Sequence, residues 1–255
     1  MEVHHPPHVE KKNFKEYLLE FFMLFLAVFL GFVAENIREN IAENNRAKEY
    51  AISLVQDLQH DTTAINSHRK SADMYVAIAD SLLNLSKKQL DGRNAAEFSF
   101  YTRFTYWTVP IAWNRATFEQ IKNSGNLRYF KNYKLLEKLM KYDGLINEIQ
   151  AEFQDRRTRS NLLLNHINKI IEPEMHYALS TYNLSTLDTM SNEAKENFFN
   201  AEVGSMENLR SEIKEMLNMV IVQQRNVRFD ENRLRRAMEL ANELISDLEM
   251  EYKMD

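Results

Sequence analysis

Hydrophobic positions are continuous on every face of a helix in one stretch of this chain, Tyr17-Leu-Leu-Glu-Phe-Phe-Met-Leu-Phe-Leu-Ala-Val-Phe-Leu-Gly-Phe-Val-Ala34. After Glu35 the apolar residues are set at spacings of three and four among charged ones, the pattern of amphipathic helix. The 18 residues from Tyr17 to Ala34 reach about 27 Å as a helix, close to the hydrocarbon thickness of a thin bilayer. Glu20 falls within a turn of the interface, where its cost is low. Phe14 and Tyr17 suit an interfacial aromatic position, and Lys11, Lys12 and Lys15 suit headgroup phosphates. A surface-lying helix would need a polar face, which Phe21 to Ala34 lacks; a buried core helix is the alternative. The stretch Gly31-Phe-Val-Ala34 offers no small-x-small cleavage site, so an uncleaved signal anchor is expected.

Three long helices follow from the spacing. The first runs through the anchor and beyond it, with Ile37, Ile41, Asn44, Lys48, Ala51, Val55, Leu58, Thr62, Ile65, Arg69, Ala72, Val76, Ala79 and Leu83 on one seam. Its polar members gather next to the anchor, which predicts a loosely packed, hydrated stalk there; His60-Asp-Thr-Thr63 is a candidate break. The second covers about 132–171, with Leu135, Leu139, Tyr142, Ile146, Ile149, Phe153, Leu163, Ile167 and Ile170 on its seam and Pro173 as its stop. The third starts near Ser205 and carries Met206, Leu209, Ile213, Met216, Val220, Gln223, Val227, Asp230, Leu234, Ala237, Ala241, Leu244, Leu248 and Glu251 in line. Between them the sequence predicts a turn at 90–94, short helices over 94–106, 117–124 and 192–199, and a left-handed cap at Gly125.

Three striped helices must bury their stripes against one another. The expected fold is all-α, an N-terminal transmembrane helix continuing into an elongated, coiled-coil-like antiparallel helical bundle. Residues 1–13 form a polar, disordered cytoplasmic tail, 14–35 the anchor and 36–255 the bundle domain.

Composition sharpens this picture. Only 5 glycines and 4 prolines occur in 255 residues, so turns are few and helices long. A net charge of −5 with mixed signs argues against a nucleic-acid surface. With no cysteine, a disulfide framework and thiolate chemistry are excluded. Lysines before the anchor (Lys11, Lys12, Lys15) balance Arg38, Arg46 and Lys48 after it, and their closer clustering leans towards a cytoplasmic N-terminus.

Candidate chemistry is sparse. Phe98, Phe100, Tyr101, Phe104, Tyr106, Trp107, Trp113 and Phe118 surround a rigid Thr108-Val-Pro-Ile111 turn. They are expected to plug a bundle end, with Trp107 and Trp113 buried; the competing reading is a ligand or partner surface of Tyr106, Trp107, Trp113 and Arg115. His4, His5 and His8 in the tail, and Asp57-Leu-Gln-His60, fall short of a metal site, the latter because a di-iron bundle repeats its Glu-x-x-His with further glutamates. Two basic runs, Arg156, Arg157 and Arg159, and Arg225, Arg228, Arg233, Arg235 and Arg236, are expected to pair with acids on neighbouring helices. Neither a phosphate loop nor a nucleophile elbow occurs in the sequence. The expectation is a non-enzyme with no cofactor and no metal.

Lys15-Glu-Tyr-Leu-Leu-Glu-Phe-Phe-Met-Leu-Phe-Leu-Ala-Val-Phe-Leu-Gly-Phe-Val-Ala-Glu-Asn-Ile-Arg-Glu39, Lys48-Glu-Tyr-Ala-Ile-Ser-Leu-Val-Gln-Asp-Leu58 and Thr117-Phe-Glu-Gln-Ile-Lys-Asn-Ser-Gly-Asn-Leu-Arg-Tyr-Phe-Lys-Asn132 resemble an uncharacterised family of bacterial single-span inner-membrane proteins with a helical extracytoplasmic domain. The resemblance covers roughly residues 14–150. It implies a cytoplasmic N-terminus, an inner-membrane anchor and a periplasmic helical domain, and supplies no activity. The expected role is a membrane-anchored interaction or scaffold protein of the envelope, its partners the lipid bilayer and either an envelope protein or a second copy. The alternative is an extracytoplasmic ligand-binding sensor or accessory subunit acting through a membrane partner. An open pocket at Trp107 and Trp113 favours the sensor; a filled bundle with an exposed apolar stripe favours the interaction protein.

Overall fold

The computed structural model describes residues 13–106 and 109–254, so the predicted tail, apart from Asn13, and Trp107 lie outside the described residues. Those residues are almost wholly helical, with no strand among them: α1 (Phe14–Leu85), α2 (Gly92–Arg103), α3 (Ala116–Asn123), α4 (Tyr133–Ile167), α5 (Pro173–Ala178), α6 (Asn192–Phe199) and α7 (Arg210–Tyr252), joined by short 3-10 turns. Contacts divide the chain into two compact units that meet at Tyr50 and Ala51.

In the first unit every side chain from Phe14 to Ile41 is exposed. Phe21, Phe25 and Phe29 stack along one face with ring centroids 6.4 and 6.1 Å apart. None of these large apolar side chains is covered by another of the described residues, unlike those of a core helix. This part of α1 is long and apolar enough to cross a membrane. Past it, Glu35 and Arg38 pair one turn apart and Ile37 and Ile41 stay exposed. Asn44 and Lys48 on the same seam are exposed as well, whereas Ala47, off it, is buried.

The second unit is built on α1 from Ala51 onward, α4 and α7. The seam of α7 is buried as the spacing predicts, from Ile213 and Met216 through Val227 and Leu234 to Leu248. On α4 the predicted apolar positions are also buried, except that Phe153 is half-covered. On α1 the prediction is half right. Ala51, Val55, Leu58, Ile65, Ala72 and Ala79 are buried, but the alternate positions are Leu54, Asp61, His68, Tyr75 and Leu82, not Thr62, Arg69, Val76 and Leu83. Nor does α1 break at 60–63: Thr62 and Thr63 hydroxyls donate back to the Gln59 carbonyl and the helix runs on.

Side-chain pairs fix the directions. Asn132 meets Glu251, Lys138 meets Asp247 and Arg156 meets Asp230, so α7 runs antiparallel to α4. Arg69 meets Glu231 and Gln224 meets Asp80, so α7 is antiparallel to α1 as well. The chain between α1 and α4 doubles back along α1: Phe100 and Tyr101 lie by Ile78, and Asn114 and Thr117 by Asp61 and Asp57. In consequence α4 starts again near Leu54 and runs in the direction of α1.

The far end is closed by α2, α5 and α6. Phe98, Phe100 and Phe104 are buried, and Phe100 packs edge-on to Phe104 and Phe199 at 5.3 and 5.2 Å. The aromatic plug therefore exists, but it is made of these phenylalanines. Arg210 donates to the carbonyls of Ser86 and Lys88, and Glu207 accepts the Leu90 N–H at 2.6 Å, so the start of α7 satisfies backbone groups left over past the end of α1. Pro173 does not stop α4, which ends at Ile167; it opens α5, where a missing N–H costs nothing. Gly125, at φ 71°, is the left-handed residue that ends the α3 turn.

The second unit has a closed core of its own, and each fully buried Leu, Ile or Phe in it contributes about 1.5–3 kcal/mol. A protein starting at residue 36 is accordingly expected to be soluble without detergent and strongly helical. A far-ultraviolet circular dichroism spectrum without the 222 nm helix minimum would contradict this.

Candidate functional site

The segment 113–118 is pinned to the bundle by two carboxylates of α1. Asp61 is buried and accepts the Asn114 N–H at 2.7 Å and the Tyr142 hydroxyl of α4 at 2.8 Å. Burial raises its pKa, against the pull of those two donors, and burial beside Asp61 also raises that of Tyr142. Asp57 accepts the Thr117 N–H at 3.2 Å. The first turn of α3 has no side-chain cap of its own, so Asp57 serves as one from a neighbouring helix. That is the role of the Asp57-Leu-Gln-His60 motif; His60 is exposed.

Arg115 reaches the other way, across α4. It donates to Asn147 at 2.8 Å, Gln150 at 3.2 Å and Glu119 at 2.9 Å, and pairs with the buried Asp143, which Lys122 also approaches at 3.3 Å. Its guanidinium holds α3 on α4, and beside Asp61, Tyr142 and Asp143 it lines a small gap of about 30 Å³. Tyr106 donates to Asn161 at 3.2 Å and has no part in the same site. Trp107 lies outside the described residues. Trp113 faces an open cleft.

Trp113 is half-buried, contrary to the expected plug, and lines an open cleft of about 610 Å³ with His68, Pro110, Ile111, Ile149, Gln150, Phe153, Gln154, Arg156 and Arg157. That volume is in the range of small-molecule sites. Its floor is the polar layer of the bundle. Arg156, 4% exposed, donates to Asp230 of α7 at 2.8 Å and lies 3.4 Å from His68 Nε2 of α1. Asp230 also accepts from Arg233 at 2.9 Å. One turn further, Gln223 donates to the Ser160 hydroxyl at 3.0 Å.

Desolvation dominates this layer. It lowers the Arg156 pKa and raises that of Asp230, each opposed by its partner's charge. Burial, reinforced by the Arg156 charge, depresses His68 from 6.5 to about 3, so its imidazole is neutral at ordinary pH. The expectation for the basic runs holds in part: Arg156 and Arg228 pair with acids on neighbouring helices, while Arg159, Arg233 and Arg235 pair within their own. Arg157, next to Arg156 in sequence, is exposed at the rim. Among the described residues no group of acids and histidines is arranged to hold a metal.

Comparison with protein-family models, curated proteins and solved structures finds no match for this chain. What the cleft can bind rests on its own residues.

Proposed function

We propose that this chain is a membrane-anchored, non-enzymatic interaction protein of the bacterial envelope, held by one helix in the inner membrane with its N-terminus in the cytoplasm and its bundle in the periplasm. The observation that carries it is the exposed, uncharged apolar run from Phe21 to Ala34, on the same helix whose later turns belong to a closed bundle. Its ionisable groups support the non-enzymatic part. Asp57, Asp61, Arg115, Asp143, Arg156 and Asp230 are engaged in holding one element on another. Outward-facing Val222 and Phe229, two turns apart on α7, offer apolar surface to a partner.

A second reading, a ligand-binding accessory subunit that acts through a membrane partner, is favoured by the cleft beside Trp113. The two share the anchor and the orientation. In a bacterial host, the full chain is expected to stay in the membrane pellet through alkaline carbonate washing. A periplasm-dependent phosphatase fused to its C-terminus is expected to be active, and a cytoplasm-dependent fluorescent fusion dark. Release by carbonate would remove the anchor; the reverse reporter pattern would invert the orientation. In-cell crosslinking then separates a reproducible envelope partner from self-association.

A further inference from the structure

Resting on the second reading, that the cleft is a ligand site, we infer that it takes a small aryl carboxylate, a flat apolar ring carrying one negative charge. The walls supply the ring's surroundings. Pro110, Ile111 and Trp113 come from the chain leading into α3, and Ile149 and Phe153 from α4. Two aromatic side chains, Trp113 and Phe153, in one apolar lining favour a flat ring over a flexible chain, because a ring loses little conformational freedom on binding.

The charge comes from the same lining. It contains two guanidiniums, a neutral imidazole and two amides, and no carboxylate. Arg156 is already matched by Asp230. Arg157 is exposed at the rim and makes no ion pair among the described residues, so one positive charge faces the cleft uncompensated. A guanidinium binds a carboxylate through paired, charge-assisted hydrogen bonds. Gln150 and Gln154 stand on the same helix to donate to whichever carboxylate oxygen Arg157 leaves. An organic cation would meet Arg157 with no acid to offset it, and a phosphate dianion would find one free guanidinium where it needs more.

The depth of the cleft adds a consequence. A carboxylate that reached its floor would compete with Asp230 for Arg156, at the cost of a buried pair. The ligand charge therefore sits at the rim with Arg157, and the ring points inward to Trp113.

The chain has two tryptophans, so Trp107→Phe leaves Trp113 as the only tryptophan, excited selectively at the red edge where tyrosine does not absorb. Full-length protein with that change, in lipid nanodiscs, is titrated with phenylacetate and with its neutral counterpart phenylacetamide while Trp113 emission is followed. Phenylacetate is expected to bind about ten-fold tighter than the amide. Arg157→Gln, at an exposed position that the fold does not depend on, is expected to erase that preference, with acid and amide binding equally. Equal binding of acid and amide while Arg157 is in place, or an acid preference that survives Arg157→Gln, overturns the assignment of an anion while leaving a ligand site in place. No response of Trp113 to either compound up to about 20 mM overturns both this inference and the ligand-binding reading; the anchored interaction protein, tested by fractionation, stands apart from it.

Discussion

Replacing Asp230 by alanine is expected to destabilise the folded bundle by about 3–5 kcal/mol, the usual cost of leaving a buried charge without its partner. Arg156 is almost wholly enclosed and its 2.8 Å bond to Asp230 is the main compensation for its lost hydration. His68 gives little in exchange, because a neutral nitrogen at 3.4 Å offers no opposite charge. For a domain of this size the loss corresponds to a fall in Tm of roughly 6–20 °C. Removing both charges together should behave differently. An Arg156→Met and Asp230→Leu pair deletes the desolvation cost along with the attraction, and is expected to fall within about 1 kcal/mol of the parent or above it. Chemical denaturation of the three proteins, followed by circular dichroism, reads this directly. A D230A protein as stable as the parent would mean that Arg156 swings out through the cleft beside Trp113 and stays hydrated.

The same layer explains what the sequence made legible and what it hid. On α7 the seam could be followed because apolar residues flank each interruption: Val220 and Val227 bracket Gln223, and Val227 and Leu234 bracket Asp230. On α1 the phase was ambiguous wherever neighbours matched in character. Asp61 and Thr62 are both polar, His68 and Arg69 likewise, and Leu82 and Leu83 are the same residue, so steps of three and four fit either line. Only packing against α4 and α7 decides which of each pair turns inward. The sequence does carry a signal for Arg156. Steps of three and four from Phe153 land on Arg156 and Ser160 before reaching Leu163, and the gap in the apolar seam there marks the polar layer.

The site was less legible than the fold. Trp113 was singled out for its type, yet what faces it, His68 of α1 and Phe153 of α4, comes from far along the chain. Asp57 and Asp61 look like the polar side of an amphipathic helix until the 113–118 segment is laid across them. Arg115, close by in sequence, points to α4 instead. Local spacing predicts which helices form; it carries no information about which loop returns over which face.

Lowering the pH from 7.5 to 4.5 is expected to cost the bundle about 2–3 kcal/mol through His68 alone. The imidazole titrates near 6.5 when unfolded and near 3 in the folded layer. Between those values the unfolded chain binds one more proton than the folded one, so stability is full above pH 6.5 and declines as pH falls towards 3. Asp61 and Asp230 act in the opposite sense. Burial raises both, so above the ordinary carboxylate range the folded state holds their protons more readily, and their contribution improves as pH falls. The net acid loss of the parent protein is a sum of the two effects. Comparing it with His68→Gln isolates the first, because glutamine stays neutral at every pH in the window and keeps a polar group beside Arg156. The expected result is a parent Tm that drops about 5–10 °C more between pH 7.5 and 4.5 than that of the variant. Parallel pH profiles would show that His68 is solvated through the cleft and protonates in the folded state, which would also make it available to a bound carboxylate.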